Sequence, residues 1–457
     1  MESKRQRVAI GVGAITNKAA VMLMGTVMSI YIGRNGSPFA VGLVYTVFWA
    51  FLMIFSPIWG SVADITGKRR AVLVGTALLA TLGTAPLIFV NGVGPMIGFR
   101  ALFAVFAAGF LPVMLTIVNQ HGGASTRGRS LGFFNSATAV GLMAGQFFSG
   151  ILIDALSPNR VFLVVTGVSA LVAVACAFVD EPTATNRDPS RSVLFAEIRS
   201  RLVGGDTDVL HRNGIRWLYV AVFLRNMTVL GVGGLLPIYL VARVGVSTFL
   251  MGALLTINPI CQVVFMYVLG RVSDIMGRKP LIVGGAFGSG LYAAVLSMAT
   301  VPTSIVGRVA VVAIGFLLLA GGFSALMTGT IAFIGDIAPE ERESELIGFR
   351  QTARGLGGAI GPSVLGAIAT VMSYSVAFAV GSLLSFVAAA IVAYHLIESH
   401  PSAELDASLR FGNSRDKRME THIVTQAAAQ QTGDDGCPPP SVRHQTARGR
   451  VGSRLGL

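Results

Sequence analysis

The chain has 457 residues, of which 53% are hydrophobic and only 12% charged, with a mean hydropathy of +0.70 and a formal net charge of +13. A soluble protein carries about 25% charged residues, so the composition excludes a secreted globular domain and a disordered chain. Apolar runs of roughly 20 residues recur from end to end, each long enough to cross about 30 Å of hydrocarbon, so the chain reads as a polytopic membrane protein.

Breaks at Gly, Pro and charge clusters divide it into twelve spans. The first six are predicted at roughly 8–33, 39–59, 70–90, 96–118, 131–153 and 160–179. The second six are predicted at roughly 216–242, 248–269, 280–300, 304–330, 349–372 and 375–397. The first follows Lys4, Arg5 and Arg7 as a signal peptide would, but about 25 residues is too long for a cleaved hydrophobic region, and it reads as an uncleaved span. The expected organisation is an N-terminal six-helix bundle (1–179), a cytoplasmic linker (180–215), a C-terminal six-helix bundle (216–397) and a disordered cytoplasmic tail (398–457).

The cations set the orientation. Most Lys and Arg fall in the even loops, the linker and the two termini, whereas the opposite loops hold Arg34, Arg160 and Arg243. Positive charge is kept inside, which predicts a plasma-membrane protein with both termini cytoplasmic. The net charge then reflects topology beside anionic lipid and needs no nucleic-acid partner. Cys176, Cys261 and Cys437 are too scattered for a disulfide framework, and neither they nor the histidines have metal-ligand spacing, so no metal or cofactor is expected. No Gly-x4-Gly-Lys-Ser/Thr loop supports an ATP-driven pump, and no nucleophile constellation supports an intramembrane enzyme.

Two corresponding loops share a pattern. GSVADITGKRR (60–70) follows the second span and GRVSDIMGRKP (270–280) the eighth. Gly60, Asp64 and Gly67, followed by Lys68 and Arg69, recur as Gly270, Asp274 and Gly277, followed by Arg278 and Lys279. Ile30-Tyr31 matches Ile238-Tyr239, Gly42 matches Gly252, and Arg100 matches Arg308. In the fifth span Gly132, Gly141, Gly145 and Gly150 recur as Gly348, Gly357, Gly361 and Gly366. The two halves are homologous six-helix units.

On these residues the chain resembles the major facilitator superfamily over essentially all of 8–397, and its drug/proton antiporter-type members in particular. The fold implied is an all-α membrane protein of twelve transmembrane helices in two pseudo-symmetric bundles. The loop pattern resembles the family's motif A, twice, with Ile65 and Ile275 in place of the Arg that often follows the Asp. The resemblance implies gating. Asp64 can accept hydrogen bonds at a helix N-terminus of the other half and latch the outward-facing state. GFFNSATAVGLMAGQFFSG (132–150) resembles motif C of drug antiporters, with Gln146 and Ser149 at departing positions; its copy keeps Pro362. These small residues suit close helix packing, and the motif favours export. Arg100 resembles the Arg of motif B, which the family associates with proton coupling; Arg308 is its repeat mate.

GAITNKAAVMLMG (13–25) carries Asn17 and Lys18 within an apolar run, and the repeat sets them against Arg225 and Asn226 in FLRNMTV (223–229). Both pairs lie about ten residues, or roughly 15 Å, from the cytoplasmic end. A charge at mid-helix costs roughly 2.5–3.5 kcal/mol, so such residues mark a cavity and a substrate path. Helices one and seven line the cavity in the resembled family, which makes Lys18 and Arg225 a facing cationic pair. No Asp or Glu sits at mid-membrane. Either the substrate is anionic, or Lys18 is itself the group that carries a proton. The function implied is a monomeric secondary active transporter exporting a small organic compound in exchange for protons, with uptake or exchange of an organic anion or sugar as the alternative.

Overall fold

The computed structural model describes residues 4–90, 92–180, 213–339 and 342–399; the expected linker and tail lie almost wholly outside these. Six helices precede the linker: α1 (Lys4–Asn35), α2 (Pro38–Thr66), α3 (Arg69–Thr84), α4 (Val93–Ala107), α5 (Phe110–Ala155) and α6 (Pro158–Ala177). Six follow it: α7 (Ile215–Tyr239), α8 (Thr248–Met276), α9 (Arg278–Ser297), α10 (Ile305–Ile337), α11 (Glu343–Val371) and α12 (Tyr374–His395). Long helices are the outcome expected of apolar segments in lipid, where every backbone N–H and C=O must be paired within its own segment.

The fourth and fifth spans fall within three residues of the predicted 96–118 and 131–153, but the helices do not follow them one for one. The fourth apolar span runs Val93–Gln120, across a break between α4 and α5, and the fifth runs Gly128–Ala155. Eleven of the described helices are long and apolar enough to cross a membrane; α11 is not among them. It carries Glu343, Glu345, Arg350 and Arg354 together with a run of glycines, so packing on α2 and α7 rather than apolarity holds it in place.

Local chemistry starts and stops these helices. Ser37, Ser247, Ser304 and Ser373 precede α2, α8, α10 and α12, and each side chain accepts an N–H from the first turn. Gly67 ends α2 at φ 68°, a left-handed position that favours glycine, and its N–H donates to the Ala63 carbonyl at 3.1 Å.

The buried side chains form three clusters. One runs through both halves, joining Met28 and Ile30 to Leu236, Ile238 and Phe378. The second is confined to the N-terminal half, around Ile10, Met114 and Cys176, and the third to the C-terminal half, around Leu218, Phe333 and Val392. The halves therefore share a core at the end holding the Asn35–Ser37 turn and keep separate cores at the end holding the motif loops.

Glycines produce the shared closure. A Cβ at Gly42 would lie 2.1 Å from the Pro362 carbonyl oxygen, one at Gly150 2.3 Å from that of Thr248, and one at Gly33 2.5 Å from Ile238. Ser29 Oγ donates to the Gly234 carbonyl at 3.1 Å, and the Phe39 N–H to the Thr370 hydroxyl at 2.9 Å. Lipid tails are as apolar as leucine, so backbone approach and polar contacts of this kind, rather than water exclusion, drive the association.

Candidate functional site: a central cavity and a cationic floor

Beneath this closure lies a cavity of about 190 Å³ between the halves. The first half contributes Thr26 from α1, Tyr45, Phe48 and Trp49 from α2, Arg100 from α4 and Gln146 from α5. The second contributes α7 from Val229 to Pro237, Asn258, Tyr292 and Phe316. Aromatic walls with a few polar groups are the usual make-up of a small-molecule site.

Arg100 is the charged group of this cavity. It is only 1% exposed, its guanidinium carbon lies 4.1 Å from the centre of the Phe48 ring and 5.5 Å from that of Phe103, and its Nη2 borders Gly25. A cation over a desolvated ring recovers about 2 kcal/mol, which offsets part of the cost of burial. Its Nε and Nη1 have no hydrogen-bond partner among the described residues, and neither does Oε1 of Gln146 in the same cavity. Snorkelling to the headgroups does not describe this side chain.

The second cationic site lies one helical turn toward the motif loops. Lys18 is a turn from Val21, and Arg225 a turn from Val229, both cavity residues. Arg225 is 3% exposed; its Nε donates to Ser289 Oγ at 2.9 Å, it lies 5.4 Å from the Phe323 ring centre, and its Nη2 is unpartnered. The expected direct facing of Lys18 and Arg225 is replaced by a bridge: Arg354 of α11 is the electrostatic neighbour of both. Arg354 also lies 5.5 Å from the ring of Trp49, a cavity residue. Arg350, one turn earlier, is 5% exposed, and its Nε donates to Thr330 Oγ1 at 3.0 Å. Among the described residues no carboxylate pairs with any of these four cations. Sequence reasoning did not single out Arg350 and Arg354, although both fall within the predicted span 349–372; the signal that places them inside is the glycine run that follows, which draws α11 against α2 and α7.

Several predicted site residues lie elsewhere. Asn17 borders a void of about 10 Å³ within the first bundle, beside Thr76 and Ser169, and does not line the central cavity. Asn226 is satisfied locally, its Nδ2 donating to the Val222 carbonyl at 2.7 Å and its Oδ1 facing Arg225 at 3.5 Å. Arg308 sits at the closed end, where its guanidinium donates to the carbonyls of Pro302 at 2.9 Å and Val244 at 3.3 Å. That is a tie between turns, roughly two helical turns along α10 from the cavity residue Phe316. Arg308→Met is therefore expected to lower stability by about 1–2 kcal/mol while transport stays within about twofold of the parent, as a thermal melt and a flux assay would read.

Of the motif C glycines, Gly141 and Gly145 abut the carbonyls of Ile15 and Ala19 in α1, and Gly357 and Gly361 abut those of Phe223 and Met227 in α7. Gly150 and the Pro362 carbonyl meet the opposite half, as described. Gly132 departs from the expectation: a Cβ there meets nothing within 4 Å, so it packs no helix closely.

In the first motif loop Asp64 Oδ1 pairs with Arg69 at 3.4 Å, and Arg69 also donates to Gln120 at 2.8 Å. Lys68 is the residue before α3, and Gly60 faces Pro112. In the second loop Arg278 pairs with Asp336 at 3.0 Å and donates to the Ser273 carbonyl at 2.6 Å. Glu398 accepts the N–H groups of Arg278 and Lys279 at 2.9 and 3.0 Å, capping α9, and its carboxylate fills the space a side chain at Gly277 would need. Gly270 faces open space, and the Asp274 side chain lies outside the described residues. The described Asp64–Arg69 pair lies within one loop, in a state whose halves meet at the other end.

The comparisons agree with this architecture. Among curated proteins, the multi-drug resistance efflux pump PmrA of Streptococcus pneumoniae (strain TIGR4) is 24% identical over 382 residues, covering 81% of this chain and 91% of its own. The multidrug resistance protein MdtG of Escherichia coli (strain SMS-3-5) is 21% identical, covering 82% and 91%. Among solved structures, a D-xylose-proton symporter superposes with a TM-score of 0.67 at 15% identity, covering 86% of this chain and 98% of that one. The family model described as Major Facilitator Superfamily matches residues 10–316 and 218–418. With two six-helix halves around a shared cavity, the chain belongs to the major facilitator superfamily.

Proposed function

We propose that this protein exports small organic compounds from the cell in exchange for protons, by alternating access of its two halves to the central cavity. The observation that carries the reading is the cavity itself: it lies between the halves, is sealed at one end by glycine contacts, and is lined by aromatic rings around a few polar groups. The efflux names of the curated relatives support the direction. Placing the basic motif loops and both termini on the cytoplasmic side makes this the inward-facing state. The separate cores at that end suit a state open on the cytoplasmic side. The protein acts as a monomer, since each copy holds a complete cavity.

The test is flux in proteoliposomes containing the purified full chain, with a panel of fluorescent dyes and an imposed pH gradient. Dye movement against its gradient that stops on adding a protonophore is the expected result. Accumulation of a sugar or organic anion in the opposite direction would instead establish uptake and overturn export.

A further inference from the structure

We propose that the substrate of the central cavity is an aromatic organic anion that also carries a hydrogen-bond donor, its acid group seated on Arg100. The assignment rests on the transport reading above and names the chemistry of its cargo. Three observations converge. The Arg100 guanidinium is buried in the cavity wall with Nε and Nη1 unpartnered, and no carboxylate pairs with it among the described residues. Oε1 of Gln146, in the same cavity, is a buried acceptor with no donor. Phe48, Trp49 and Tyr292 supply aromatic surface in the same cavity.

A guanidinium buried with two of its nitrogens lacking a hydrogen-bond partner is costly, and a carboxylate, sulfonate or phosphonate relieves part of that cost by accepting a charge-assisted N–H bond. An amine or hydroxyl on the same molecule satisfies Gln146. A cationic compound would gain from Gln146 and the aromatic faces but would meet Arg100 as a like charge.

The floor of the cavity fits the same cargo. Lys18, Arg225, Arg350 and Arg354 gather on its motif-loop side with no paired carboxylate among the described residues. A cluster of one sign beside the cavity raises the local concentration of the opposite charge. Arg354, beside Trp49, joins the floor to the aromatic wall.

The experiment measures binding of an aminonaphthalene sulfonate and its neutral sulfonamide to the purified full chain, by calorimetry. The wild type is expected to bind the sulfonate at least about tenfold more tightly. Arg100→Gln should bring the two affinities within about twofold by weakening the sulfonate alone, and Arg100→Lys should keep part of the preference. Equal affinities in the wild type, or a preference that survives Arg100→Gln, would overturn the assignment. If Arg100→Gln no longer binds the amide, chloride competition on the wild type decides. Loss of sulfonate but not amide affinity supports the anion site, and indifference to chloride overturns it. The two readings fail separately. Arg100-dependent sulfonate binding with flux indifferent to pH would remove proton exchange and keep the anion site. Protonophore-sensitive export confined to cationic dyes would keep export and remove the anion site.

Discussion

Gly42→Val is expected to slow transport by at least about tenfold while the protein still folds and inserts. The closed end can form only if α2 reaches the backbone of α11, where a Cβ at Gly42 would stand 2.1 Å from the Pro362 carbonyl oxygen. Real Cβ atoms do not approach so closely, so the two helices must move apart. Overpacking of this kind costs about 1–3 kcal/mol. The penalty falls on the state with this end closed and is absent when the end opens, so it acts on the equilibrium between states. A bias of about 3 kcal/mol moves that equilibrium by roughly a hundredfold. The check is a cysteine at Leu236, a cavity residue, in a chain without Cys176, Cys261 and Cys437. Labelling by a membrane-impermeant thiol reagent from the closed side should rise in Gly42→Val and stay low in the parent. Gly132→Val, where a Cβ meets open space, is the control, with flux and labelling at parental levels. Unchanged labelling in Gly42→Val would show that the contact does not govern closure.

Lys18→Met is expected to raise the melting temperature by several degrees and lower transport severalfold. Met keeps the length and straight chain of Lys, so packing in α1 changes little. What it removes is a positive charge beside Arg354, in a cluster without a carboxylate partner among the described residues. Two unit charges about 4 Å apart repel by about 4 kcal/mol at an effective dielectric of 20, and by less at longer range, so relief of about 1–2 kcal/mol is the expected gain. Repulsion kept at a site despite its cost is the mark of a group retained for use. Arg354→Gln should show the same opposition with a larger effect on flux, because Arg354 neighbours both Lys18 and Arg225. Arg225→Gln differs: it also surrenders the bond to Ser289, so its stability gain should be smaller. A Lys18→Met protein less stable than its parent would overturn the repulsion, and an equally active one would mean that the cluster is neutral to function.

Much of the architecture was legible from residues alone. Hydropathy finds helices in a membrane protein because lipid leaves the backbone no other way to pair its polar groups. The offset between 60–70 and 270–280 exposed the duplication, since both loops need the same turn glycine and basic cluster. The matched positions of Lys18 and Arg225 along the first and seventh helices followed from the repeat. Direction was harder to read. Neighbouring residues on a helix point about 100° apart, so Asn17 could enter its own bundle while Lys18 faced α11. The repeat also misled where its ends differ: Arg100 and Arg308 match in register, yet one enters the cavity and the other ties two turns.

The sequence by itself determined the twelve helices, the two homologous halves and the shortage of intramembrane acids, because these depend on residue type and spacing along one chain. Only the tertiary structure decided which cation lines the cavity, that Arg354 neighbours both Lys18 and Arg225, and which end of the molecule is closed. Those properties arise where helices distant in sequence meet. They are set by how closely glycines such as Gly42, Gly150 and Gly361 let one backbone approach another.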